Sequence, residues 1–204
     1  MNERLEKVAS ALRRRGFDAA VFDTREQAAA FILGDLPEKQ EIGMGGSATL
    51  AQMNLDAVLR DAGHTVHWHQ GASREESPAI RRAAMCAQVY FASANAVTED
   101  GLMVQIDGTG NRVAALCYGP ETVYIIIGRN KVVEGGYTQA VRRIKQVACP
   151  LNARSLHLDT PCASTGSCNA SACTHSMCHL FLAMEGAPGG KRTQVILIDE
   201  DLGF

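Results

Sequence analysis

The stretch Arg112-Val113-Ala114-Ala115-Leu116-Cys117-Tyr118 decides how this chain folds, because it stands between two strand-like runs, residues 102–106 and 123–127. As a hairpin arm it would make the strands run up and down, sending Arg129-Asn130-Lys131 to the end of the sheet opposite the loop after Ala94. As a short helix opened by Gly108-Thr109-Gly110, it makes residues 88–94 and 123–127 parallel, and the loops that follow them meet. We favour the helix.

Outward from this stretch, toward the N-terminus, Leu5, Val8 and Leu12 recur at helical spacing, with Gly16 as the stop. Residues 18–23 read as a short apolar strand, and Thr24 caps a helix through Leu33. A strand over 41–44 leads to a helix from Ser47 to about Ala62, then to an alternating strand over 64–69. Residues 75–86 have helical spacing interrupted by Pro78, and 88–94 form a further strand. This alternation predicts a mostly parallel sheet with helices on both faces. In the other direction come a helix over 136–147, a cysteine-rich segment over 159–179, and strands over 179–184 and 193–198 about a Pro188-Gly189-Gly190 turn. With neither repeat nor low-complexity linker, residues 1–204 read as one domain closed by a C-terminal strand pair.

A chain of 204 residues with 46% hydrophobic side chains buries roughly 70% of its unfolded surface, so its core needs neither disulfide nor metal. Lys and Arg number 20 against 22 Asp and Glu. That balance gives no general attraction to a phosphate backbone, and nucleic acid is not an expected partner. No apolar run nears the ~20 residues of a membrane span, and Met1-Asn2-Glu3-Arg4 does not read as a secretory leader. A membrane partner is therefore not expected, a cytoplasmic location is, and the seven cysteines should stay reduced.

Gly43-Met44-Gly45-Gly46-Ser47-Ala48-Thr49 joins a strand to a helix and formally satisfies a G-x-G-x-x-A pattern. The next strand ends His67-Trp68-His69-Gln70 rather than in an acid, and no Gly-Lys-Ser/Thr is present. Neither an NAD site nor a P-loop nucleotide site is expected. The turn is then either an anion-binding loop or a tight connection with Ser47 as cap. His67 and His69 share a strand face and form a weak candidate metal pair. Glu99 and Asp100, in Thr98-Glu99-Asp100-Gly101, are candidate catalytic carboxylates. Asp107-Gly108-Thr109-Gly110-Asn111-Arg112 and Asn130-Lys131 add backbone donors, an acid, amides and cations for a small anion. Cys162, Cys168, Cys173 and Cys178, spaced C-x5-C-x4-C-x4-C, could enclose zinc or an iron-sulfur cluster, or stand as free thiols. Cys149 has no discernible role.

Taken in order, Gly45-Gly46-Ser47-Ala48-Thr49-Leu50, Ala96-Val97-Thr98-Glu99-Asp100-Gly101, Ile106-Asp107-Gly108-Thr109-Gly110-Asn111-Arg112-Val113 and Gly128-Arg129-Asn130-Lys131 resemble the LUD (lactate utilisation) domain family. Pro150-Leu151-Asn152-Ala153 and the tail from Thr160-Pro161-Cys162 to Glu200-Asp201-Leu202-Gly203-Phe204 extend the likeness over nearly the whole chain. The resemblance implies a three-layer α/β/α sandwich like that of the NagB/RpiA/CoA-transferase group. It also implies a role in oxidising lactate to pyruvate, beside partner subunits, in a family where some members carry iron-sulfur clusters. The chain departs from the family's cysteine pattern: Ser171 stands where a third cysteine is expected, and Cys173 lies two residues on.

Three functions follow as expectations. The first is a lactate-utilisation component that binds a small anionic metabolite at Gly45, Gly46, Ser47, Thr49, Asp107, Gly108, Gly110, Asn111, Arg112, Asn130 and Lys131. The second is an acyl-CoA or phosphorylated-metabolite transferase or isomerase with Glu99 as nucleophile. The third is a redox or metal module on the tail cysteines, with zinc or an iron-sulfur cluster as the candidate group. The loops at Gly45 to Thr49, Thr98 to Gly101 and Asn130-Lys131 are expected to converge at one end of the sheet.

Overall fold

A computed structural model describes residues 2–204. Residues 111–117 are indeed a helix, and the strands flanking it lie side by side in parallel, Val89 opposite Thr122 and Ala92 opposite Ile125. The main sheet has six strands: β1 (Asp18–Phe22), β2 (Glu41–Met44), β3 (Thr65–Trp68), β4 (Val89–Ala92), β7 (Thr122–Gly128) and β10 (Arg192–Ile198). Their order across the sheet is β1-β10-β7-β4-β2-β3, and every pairing is parallel.

Such a sheet must be covered on both faces, which is why its central strands read as unbroken apolar runs. Alternate residues of one strand serve opposite layers. Val123, Ile125 and Ile127 pack with Leu5, Val8 and Leu12 of α1 (Glu3–Arg14), with Ala84 of α5 (Ser77–Cys86) and with Leu116 of α6 (Asn111–Cys117). Tyr124 and Ile126 face α2 (Arg25–Asp35), α3 (Ala48–Gln52) and α4 (Leu55–Asp61), through Ile32, Leu50 and Leu59. Phe91 stacks on Tyr124 with ring centroids 4.7 Å apart.

Thr24 and Ser47 cap α2 and α3, accepting from the Gln27 and Leu50 N–H groups. The helix expected to run unbroken from Ser47 to Ala62 is instead two, because Asn54 adopts φ 50° between them. Left-handed backbone ends a helix, and asparagine is among the few residues that enter it readily.

A second sheet was not foreseen. It comprises β5 (Ala96–Thr98), β6 (Met103–Asp107), β8 (Val132–Val133) and β9 (Leu180–Met184), in the order β8-β5-β6-β9. Val97 and Met103 join the core around α1, while Ala96, Val104 and Ile106 pack against Ala140 and Ile144. Those last two belong to α7 (Tyr137–Arg143) and to a π-helical turn over Ile144–Ala148 that continues into α8 (Cys149–Ser155). Pro150 offers no N–H to the carbonyl four residues before it, and the widened turn falls at that point. The expected C-terminal strand pair is divided between the sheets: β9 runs antiparallel to β6, whereas β10 lies between β1 and β7. A short helix α9 (Pro161–Thr165) opens the cysteine-rich segment. Among the described residues, no helix is long and apolar enough to cross a membrane.

Candidate functional site

In an open parallel sheet the loops beyond the carboxyl ends of the strands are the natural place for a ligand. Here they enclose a cavity of about 590 Å³. Gly46 and Ser47 follow β2, His69 and Gln70 follow β3, Ser93 and Asn95 follow β4, Lys131 follows β7, and Phe204 lies beyond β10. Asp107, Gly108, Asn111 and Arg112 border it from the turn that starts α6, Arg81 from α5, and Cys149 and Asn152 from α8.

Lys131 is the most constrained charge in this cavity. Only 4% of it is exposed, and its Nζ donates to Thr49 Oγ1 at 2.7 Å and to Ser93 Oγ at 2.8 Å. Among the described residues no carboxylate lies within ion-pair distance of it. Burial, and then the charges of Arg143 and Arg112, push its pKa down to about 7. The floor beneath it is the C-terminal tail. Asn130 accepts from Leu202 N–H and donates to the Gly203 carbonyl, each at 3.1 Å. A Cβ on Gly203 would stand 3.1 Å from Nζ and 2.9 Å from the Thr49 nitrogen, so only a bare α-carbon leaves the amine its place.

The other charges fix the shape. Asp107 accepts from the Thr109, Arg112 and Val113 N–H groups at 3.1, 3.1 and 3.2 Å. Burial alone would raise its pKa, but the Arg112 charge and these donors outweigh that and hold it below the usual carboxylate range. The carboxylate is thus committed to starting α6 and to Arg112, whose Nε lies 3.6 Å away. Arg143 donates to the carbonyls of Asn95, Phe204 and Asn130 at 2.6, 3.0 and 3.1 Å, tying three cavity loops together, and burial lowers its pKa to about 10. His69 Nδ1 and Arg81 Nε are buried without a hydrogen-bond partner. Burial and then the Arg81 and Arg112 charges keep His69 below its ordinary pKa, favouring the neutral ring.

Compared with known protein families, the chain matches the LUD domain over residues 5–198. The chain belongs to the LUD domain family. A solved structure of a DUF162 family protein from Deinococcus radiodurans has the same fold, with a TM-score of 0.55, 12% identity and 96% of each chain covered. No curated protein matches the chain.

This LUD domain brings together Gly46, Ser47, Asp107, Gly108, Asn111, Arg112 and Lys131, as the sequence predicts. Other predicted ligand residues stand behind the cavity wall. Thr49 is fully buried beneath Lys131, and Asn130 clamps the tail. Gly110 starts α6 in left-handed backbone, φ 91°. Gly45 serves Arg112, since a Cβ there would meet the Arg112 Cγ at 2.7 Å, and its N–H donates to the Phe91 carbonyl at 2.9 Å. The Ser47 N–H is taken by Gln70 Oε1 at 3.4 Å, so this loop is not a free row of donors.

Glu99 and Asp100 are not brought to the cavity. The residues before them form β5 of the second sheet, whose following turn packs toward α1. Glu99 accepts from Arg4 at 2.7 Å and Lys7 at 2.9 Å, with Lys7 and then Arg4 holding its pKa low. Asp100 accepts from Thr98 Oγ1 and pairs with Arg15 at 3.1 Å. Only two of the three loops expected to converge therefore do so.

Ser93, Arg81 and Cys149 were missed as site residues. Ser93 follows directly on β4, a position that could have signalled it. Cys149 Sγ lies 3.4 Å from Cys178 Sγ, both at the cavity wall. Cys168 is raised in pKa by burial first, and also by the neighbouring Cys162, Cys178 and Cys173. The four tail cysteines thus gather in one region, joined by Cys149. Among the described residues no three His, Cys, Asp or Glu side chains stand ready arranged as metal ligands. His67 turns to Glu41 at 3.7 Å, leaving His69 alone at the cavity.

Proposed function

We propose that this LUD domain binds a small organic anion in its cavity, as a component of lactate-to-pyruvate oxidation. The observation that carries this reading is Lys131. Keeping an amine this deeply buried in its charged form, beside Arg112 and without a carboxylate partner among the described residues, is costly unless a ligand supplies the missing negative charge. Asp107, the sole acid bordering the cavity among the described residues, is already satisfied by backbone donors. Arg81 and His69 keep unpartnered nitrogens beside the same space.

The test is ligand-induced thermal stabilisation by L-lactate, pyruvate and an acyl-CoA, with the Lys131→Ala variant as control. At least one anion should raise the melting temperature of the wild type and not of the variant. A ligand at 100 times its Kd adds about 2.7 kcal/mol of stability, well within detection. Stabilisation by the acyl-CoA alone would move the reading to thioester or transferase chemistry, and stabilisation by none would overturn it.

A second reading attaches to the thiols, favoured by the contact of Cys149 with Cys178. Their donor chemistry fits a soft metal such as zinc or the iron of an iron-sulfur cluster. Cys162, Cys168, Cys173 and Cys178 would hold it, with Cys149 at hand where Ser171 replaces the family's cysteine. When bound, a cluster supplies one-electron transfer and zinc supplies a cross-link. Metal analysis and a visible spectrum after anaerobic purification test this, against a Cys162→Ser variant.

A further inference from the structure

Resting on the anion-site reading, we propose that the ligands of this cavity are 2-oxo acids and that Lys131 holds them covalently as an imine. In this step the Nζ lone pair attacks the carbonyl carbon and a C–N bond forms. The carbonyl oxygen then leaves as water with the two protons of the amine, giving C=N. Neither oxidant nor cofactor enters the balance.

The hydrogen bonding around Nζ is compatible with a neutral amine, the form that acts as a nucleophile. A neutral amine has two N–H donors and one lone pair. Thr49 Oγ1 and Ser93 Oγ, at 2.7 and 2.8 Å, accept the two donors. Both hydroxyls have other acceptors for their own protons: Thr49 donates to the Leu202 carbonyl at 3.2 Å and Ser93 to the Ala94 carbonyl at 3.3 Å. The fourth tetrahedral position on nitrogen is left to the lone pair, on a residue that borders the cavity. Gly203 keeps the space beside Nζ open, because a Cβ there would stand 3.1 Å away.

The surroundings suit the electrophile. Burial and the nearby Arg143 and Arg112 charges keep a sizeable fraction of the amine unprotonated at neutral pH, as imine-forming lysines require. A carboxylate adjacent to the carbonyl would be drawn to Arg112, the cationic wall of the same cavity. A volume of about 590 Å³ leaves room for a side chain beyond the reacting carbon. The other lysines lack this setting: Lys7 pairs with Glu99, Lys39 is exposed, Lys145 lies over the Phe181 ring and Lys191 donates to the Ala115 carbonyl.

The experiment incubates the full chain with pyruvate or 2-oxoglutarate and sodium cyanoborohydride, then locates adducts by intact-protein and peptide mass spectrometry. L-lactate, which has no carbonyl, is the competitor, and thermal stabilisation reads non-covalent binding in parallel. A single reduced adduct on Lys131 is expected, suppressed by L-lactate and absent from Lys131→Arg. In Ser93→Ala the trapping rate should fall about tenfold, the effect of losing one orienting hydrogen bond. Thermal stabilisation without an adduct would overturn the imine and leave the anion site standing. Neither stabilisation nor adduct would overturn both. Labelling spread over the surface lysines, unchanged in Lys131→Arg, would also overturn the imine.

Discussion

The two ends of the cavity are built on opposite principles. At one end Lys131 is held by the buried hydroxyls of Thr49 and Ser93, above a tail clamped by Asn130 and beside strands of the central sheet. At the other, thiols hang from α8 and from a segment with little regular structure, and the contact that connects them runs between Cys149 and Cys178. The nitrogen end is preorganised, around an amine whose protonated form has no carboxylate partner among the described residues. The sulfur end is adaptable and weakly held, as suits soft donors that take their geometry from what they bind.

The largest effect that would break this contrast is expected from Arg143→Ala. It leaves the carbonyls of Asn95, Asn130 and Phe204 without their donor, and should cost about 3 kcal/mol or more in urea unfolding. Arg154→Ala at the sulfur end removes a bond to the Ala163 carbonyl that is exposed, and should cost less than about 1 kcal/mol. Equal losses would show that the two ends are equally built in.

A smaller change, of opposite sign, is expected from Lys131→Met. Removing an unpaired buried amine should raise stability by about 1 kcal/mol while abolishing anion-induced stabilisation. The pH dependence follows. The pKa of Lys131 is lower in the folded chain than in the unfolded one, so between about 7 and the ordinary lysine value the unfolded chain binds a proton that the folded chain does not. Wild-type stability should therefore climb with pH across that window, and the Met variant should lack this component. A wild-type curve no steeper than the variant's would mean the charge is not strained.

The smallest effect belongs to Cys149→Ser. Global stability should change by less than about 1 kcal/mol, yet residues 166–178 should be cut faster in limited proteolysis, since the Cys178 anchor is lost. Cys173→Ser should leave the cleavage rate unchanged. The same rate in both variants would deny Cys149 its role as anchor.

The main sheet was legible because its strands and helices carry strong periods: β2 lies where its apolar run places it, and residues 112–118 fall within one turn of helix α6. The second sheet was not, since β5 has three residues and β8 two, too short for any alternation to show. Glu99 was misplaced for that reason: a loop that seemed to follow a strand of the main sheet follows one of the other. Lys131 could be named from its position after β7, but its burial depends on Thr49, Ser93 and Gly203, three loops distant in sequence. Cys149 showed no role in the sequence, because its neighbour Cys178 lies in another element, distant along the chain.

The place of β10 carries a consequence for biosynthesis. The main sheet's edge strand β1 has β10 as its hydrogen-bonded neighbour, although all the other strands described lie between the two in sequence and are made before β10. Until it emerges, β1 and β7 stand apart with the apolar seam between them open. Nascent chains with this topology must wait for β10 before the sheet closes, exposed meanwhile to chaperones and proteases. Phe204 and Gly203 follow immediately, so the pocket acquires its floor in the same late event.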